Sequence, residues 1–155
     1  MIKALLTGFV ALVLIIPLAL FFNMKISPVS WGLLEPVNES NGIVLSGYDP
    51  VAYFYEGIAV KGDPNNGLRH DGFLYRFSSD ENKLMFKTFP DKFTPQYGGY
   101  CAHAISSGYI ADSNPLSWKI HNDKLFIFFD DSAKEDFTLQ IDSNITQADN
   151  NWSQR

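Results

Sequence analysis

The sequence predicts an α+β fold: a small sheet of short strands and hairpins packed against two or more short helices, preceded by one N-terminal transmembrane helix. Three observations carry this. Ala4 to Phe22 is a run of nineteen residues without a charge. From Gly42 onward the apolar residues fall in short β-like runs punctuated by turn residues. Between those runs lie two stretches where apolar residues recur at helical spacing.

The leader comes first. Nineteen residues at 1.5 Å each span about 28 Å, close to the hydrocarbon thickness of a bilayer. A secretory signal has the same opening, but its apolar core is shorter and a small-x-small cleavage site follows it. Here Phe21, Phe22, Asn23 and Met24 follow instead, which favours an uncleaved anchor over residues 1–25. Lys3 and the amino terminus are set against Lys25, and the N-terminus is expected in the cytoplasm with the rest of the chain exported. The stretch 26–41 contains Pro28, Pro36, Ser27, Ser30 and Gly32 without a clear period, and reads as a tether with Trp31 at the membrane interface.

The domain proper is expected over residues 42–130. Ile43 to Leu45, Val51 to Tyr55 and Ile58 to Val60 read as strands, with Gly47, Asp49, Pro50 and Gly57 as breaks. Gly62 to Gly67 is a loop by composition. After Asp71-Gly72, the odd positions Phe73, Tyr75 and Phe77 suit a strand with one buried face. Ser78 and Ser79 are N-cap candidates before Asp80 and Glu81, and Leu84, Met85 and Phe89 recur at helical spacing up to the stop at Pro90. A second helix is expected from Gly98-Gly99-Tyr100 to the C-terminal glycine Gly108. Trp118 to Ile120 and Lys124 to Phe129 flank His121-Asn122-Asp123 as a hairpin. The expected core is Phe73, Tyr75, Phe77, Leu84, Phe86 or Phe89, Phe93, Trp118, Leu125 and Ile127. Residues 131–155 form a polar extension, and Asp142 to Arg155, rich in Asn, Gln and Ser, reads as frayed.

Composition narrows the function classes. Of 155 residues, 46% are apolar and 15% aromatic, enough buriable surface for one domain and too short a chain for two. The net charge is −5, and without Lys3 and Lys25 the remainder holds 10 basic against 17 acidic residues. No Lys/Arg cluster tracks phosphates, so nucleic acid is excluded as a partner and membrane attachment falls to the leader. Cys101 is the single cysteine, which excludes an internal disulfide, a zinc knuckle and a CxxC redox pair. HExxH, GxSxG, GxGxxG and the P-loop are absent, so no enzyme is expected.

Three ordered motifs remain: Gly47-Tyr48-Asp49-Pro50-Val51-Ala52-Tyr53-Phe54, Tyr75-Arg76-Phe77-Ser78-Ser79-Asp80-Glu81-Asn82 and Pro95-Gln96-Tyr97-Gly98-Gly99-Tyr100-Cys101-Ala102. Over roughly Asn41 to Phe128 they resemble the YHS domain family, in its exported, membrane-anchored single-domain branch. The resemblance implies a small α+β module, found alone and appended to copper-transporting ATPases and some oxygenases, with metal binding suggested for it. The ATPase-linked members carry cysteines where this chain has Ala52 and Ser78, which puts that suggestion in doubt here.

Cys101 is the candidate metal or thiol site. Behind two glycines and near a helix start, backbone N–H groups would favour its thiolate, a soft ligand suited to copper or zinc. The competing reading makes it a small core residue beside Ala102, Ala104 and Ile105. His103 is the second metal candidate, although on a helix it lies about 200° around from Cys101. His70 and His121 fall in turn contexts where solvated histidines are ordinary. Tyr48, Asp49, Tyr97 and Tyr100 are candidates to line a ligand pocket, while Asp49-Pro50 is also a turn signature and the tyrosines also serve as core rings. Two functions follow: an extracytoplasmic module binding a soft metal or thiol-reactive ligand through Cys101, or a non-catalytic structural or interaction domain with Cys101 in its core.

Overall fold

A computed structural model describes residues 26–32 and 35–155. The expected transmembrane helix lies outside them, and among the described residues no helix is long and apolar enough to cross a membrane. The fold is α+β, with small sheets and several short helices.

Strand β1 (Ser27–Pro28) pairs antiparallel with β6 (Tyr109–Ile110). A four-stranded sheet has the order β2 (Glu39–Ser40), β3 (Ile43–Val44), β5 (Phe73–Arg76), β4 (Gly67–His70), with β3 and β5 parallel. Asp71-Gly72 makes the two-residue turn between β4 and β5, both residues at positive φ, as the tightest hairpins require. The expected second hairpin is present too: β7 (Asn114–His121) and β8 (Lys124–Phe128) are joined through Asn122 and Asp123, again both at positive φ.

Strand β8 is the common wall of two cores. Its side chains alternate, so Leu125 and Ile127 join one cluster while Phe126 and Phe128 join the other. The first core gathers Val44, Val51, Tyr53, Tyr75, Phe77, Phe86 and Phe93. Phe86 is its centre, with ring centroids 4.7 Å from Tyr75 and 5.2 Å from Phe77. The second core gathers Val29, Tyr97, Tyr100, Cys101, Ile105, Ile110, Phe137 and Ala148 around Phe126 and Phe128.

Helix α2 (Asp80–Thr88) begins where expected: the Ser79 side chain accepts from Asn82 N–H, with Asp80 and Glu81 in the first turn. Its phase differs from the sequence reading. Asn82 and Phe86, four residues apart, face inward, which turns Leu84 out to solvent; Phe89, past the helix end, is exposed as well. Neither belongs to the core. Of the other expected core residues, Phe73 and Trp118 are half-buried against it and the rest are buried.

Other expectations are corrected. Val51 to Tyr55 is not a strand; Ala52–Tyr55 forms the short helix α1, because the Asp49 carboxylate holds Val51 N–H and starts a turn that Pro50 accommodates. Ile58 to Val60 makes no strand, and pairing there is limited to an isolated bridge between Tyr48 and Lys61. After α3 (Pro90–Phe93), the stretch Gln96–Gly99 is a 3₁₀ turn with Tyr97, Gly98 and Gly99 at positive φ, so the next helix, α4 (Ala102–Ser106), starts later than expected. Gly108 does end it, at φ +85° with its N–H donating to Ile105 O.

The described residues of the expected tether, and the tail, pack onto the domain. Val29 is buried, its N–H donates to Gly108 O, and Asn38 N–H donates to Gly98 O. In the tail, α5 (Asp131–Leu139) is capped by the Asp130 side chain, which accepts from Ala133 N–H, and α6 (Ile141–Trp152) packs on α4. Ile141, Ile145, Ala148 and Trp152 form an apolar stripe at helical spacing against the second core. A polar composition concealed a one-sided helix.

Candidate functional site

Cys101 is the N-cap of α4, and its own N–H donates to Ala111 O. Its side chain is directed into the second core, and the residue is 2% exposed. Burial pushes the thiol up from its ordinary value, against backbone N–H donors from Ala104, Phe129 and His103 that favour the thiolate. The expected amide donors at the helix start are therefore present, but desolvation outweighs them. The ligand-binding reading of Cys101 expects a lowered thiol; the sign is the reverse, as for a core cysteine.

His103 stands on the same short helix, half-buried, with Nδ1 buried and without a hydrogen-bond partner. Among the described residues, no group of three or more His, Cys, Asp and Glu is disposed to hold a metal ion. His70 is half-buried, its ring 5.7 Å from that of Phe86. His121 Nε2 lies 3.1 Å from Asp142 Oδ1, joining the β7–β8 hairpin to α6.

Asp49 is fully buried and its carboxylate is saturated by this chain. Oδ1 accepts from Val51 N–H at 2.9 Å. Oδ2 accepts from Ser78 N–H at 2.8 Å, Ser78 Oγ at 2.7 Å and Asn82 Nδ2 at 2.8 Å. A buried carboxylate without a counter-charge needs such donors to offset its lost hydration. Two of the three sequence motifs are thus clasped together: Asp49 closes the turn into α1 and fixes the start of α2.

The four expected pocket residues do not converge. Tyr48 lies beside Asp49 with Lys61 Nζ 4.3 Å from its ring centroid. Tyr97 and Tyr100 belong to the second core. The Tyr97 hydroxyl donates to Asp149 Oδ1 at 2.9 Å, tying the 3₁₀ turn to α6, and burial first, then Asp149, pushes its phenol well above the ordinary range. The Tyr100 hydroxyl donates to Glu35 O at 3.0 Å, and burial is the main cause pushing it up to about 12. The hydroxyls of Tyr97 and Tyr100 both serve internal contacts.

A cleft of about 210 Å³ opens elsewhere, between β2 and the loop before β7. Glu39, Ser46, Gly99, Asp112 and Ser113 line it, and none of the candidate metal or pocket residues does. Glu39 accepts from Gly42 N–H, and Ser113 Oγ donates to Gly99 O at 2.6 Å. Its walls come from segments far apart in the chain, so no local motif announces it.

No family model, curated protein or solved structure matches this chain.

Proposed function

We propose that this chain is a membrane-anchored, extracytoplasmic module of the YHS type that acts as a non-catalytic structural or interaction domain. The observation that carries this reading is the place of Cys101. The one thiol able to bind a soft metal or a reactive ligand is 2% exposed inside the second core, with its ionisation disfavoured by burial. Asp49 supports it, since its carboxylate is spent on the fold. A domain whose reactive groups are so committed acts through its outer surface.

Alkylation of Cys101 across pH, with and without Cu(I) or Zn(II), tests the proposal. A core cysteine reacts only when the protein unfolds, and metal leaves the rate unchanged. Alkylation of the native protein well below pH 8, slowed by Cu(I), would establish the ligand-binding function instead. The anchor is tested separately by alkaline carbonate extraction: the full chain stays with the membrane, whereas release of a full-length chain, or a mature N-terminus near Ile26, contradicts it.

A further inference from the structure

We propose that the face formed by β1, the turn Val29–Trp31 and β6 lies directly on the lipid interface, with Trp31 and Tyr109 seated among the headgroups. This rests on the anchor reading above and specifies how the domain sits on its membrane.

The uncharged run ends at Phe22, and Ser27 is already in a strand. Five residues of chain reach at most about 17 Å. The domain does not swing on a sixteen-residue tether; it is stapled beside the anchor by the pairing of Ser27 with Ile110 and Pro28 with Tyr109, and by the 3.0 Å bond from Val29 N–H to Gly108 O. Buried Val29 pins the strand from beneath. Two aromatic residues on these paired segments have no cover: Trp31 is 56% exposed and Tyr109 is 50% exposed. Trp and Tyr are the residues that favour the headgroup level, apolar ring inward and polar edge to water.

Charge selects the same face. The exported part of the chain is acidic and would be repelled by an anionic leaflet. Yet Ile26 to Gly32 and His103 to Ile110, the two stretches that build this face, contain no Asp or Glu. The two stretches that the anchor brings toward the membrane carry no carboxylate, and they present aromatic rings that water solvates poorly.

The full chain, reconstituted in vesicles of phosphatidylcholine brominated along the acyl chain, provides the test through tryptophan emission. Bromine quenches part of the emission, W31F abolishes that quenched component, and W118F and W152F retain it. Retention of the chain after carbonate extraction with identical quenching in wild type and W31F would overturn the docked face while leaving the anchor intact. Shielding of Trp31 from both bromolipid and aqueous iodide would assign the face to a protein partner and overturn the proposal equally. Release of the chain by carbonate would remove the anchor reading and the docked face together.

Discussion

The core around Phe86 draws most of its rings from one continuous stretch, Val44 to Phe93, and takes Leu125 and Ile127, with half-buried Trp118 and Ile120, from the hairpin. The core around Phe126 is assembled from the whole length of the described chain: Val29 from one end, the turn and helix from Tyr97 to Ile110, the hairpin, and Phe137, Ala148 and Trp152 from the other. The first is organised by a polar clasp at Asp49 that stays within its own stretch, the second by contacts that reach across to the C-terminal helix, such as Tyr97 to Asp149 and Asn151 to Ile105 O. Cys101 sits in the second. The comparison teaches that the most motif-rich part of the chain is a scaffold, and that the unremarkable ends complete the core in which the cysteine is buried.

The largest effects should come from cutting a central ring out of each core. Phe77→Ala and Phe126→Ala should each cost about 3–5 kcal/mol, since both side chains are fully buried. Because β8 walls both cores, each variant should melt in a single lowered transition. A biphasic melt of Phe126→Ala, with the first core intact, would show two independent units.

Asp49→Asn comes next and touches only the first core. It places an amide NH₂ where one oxygen now accepts, facing the donors of Val51 or of Ser78 and Asn82, at a cost of about 1–3 kcal/mol. Urea unfolding measures it, and unchanged stability would mean that the clasp is solvated.

A further effect is alkaline and involves both cores. Burial is the main cause that pushes Tyr75, in the first, and Tyr100, in the second, up to about 12. A raised phenol favours the folded state fully below the unfolded value of about 10, and that contribution is lost as pH rises through the folded value. The melting temperature should therefore fall between about pH 10 and pH 12 beyond what Tyr75→Phe and Tyr100→Phe show. Equal slopes in variants and wild type would locate the alkaline loss elsewhere.

Much of the first core was legible because its signals are local. Asp71-Gly72 marks a turn, Phe73, Tyr75 and Phe77 keep a strand's period, and Ser79 caps α2. Where reading by period failed, two phases competed: Leu84, Met85 and Phe89 suit a helix as well as Asn82 and Phe86 do, and only the buried amide of Asn82 reaching Asp49 decides between them. Val51 to Tyr55 failed for the same reason, since a short apolar run has no distinctive period. In the second core, Ile141, Ile145, Ala148 and Trp152 were spaced for a helix face in plain view, outvoted by the Asn, Gln and Ser between them. Asp130 is likewise an ordinary N-cap that went unread. The Val29 to Gly108 bond and the 210 Å³ cleft join segments that no local pattern relates. For Cys101 the sequence placed the thiol at a helix start, but burial, a property of the assembled core, set the direction of its ionisation.

Hydrogen exchange along α6 in the full chain tests most directly whether the ends complete the core in which Cys101 is buried. The central amides of Ile145 to Ala148, on a helix whose apolar stripe packs against that core, should be protected to the same degree as those of β8. Exchange at the rate of unstructured peptide, with β8 still protected, would contradict the account, because the core that holds Cys101 would then lack the helix that packs against it.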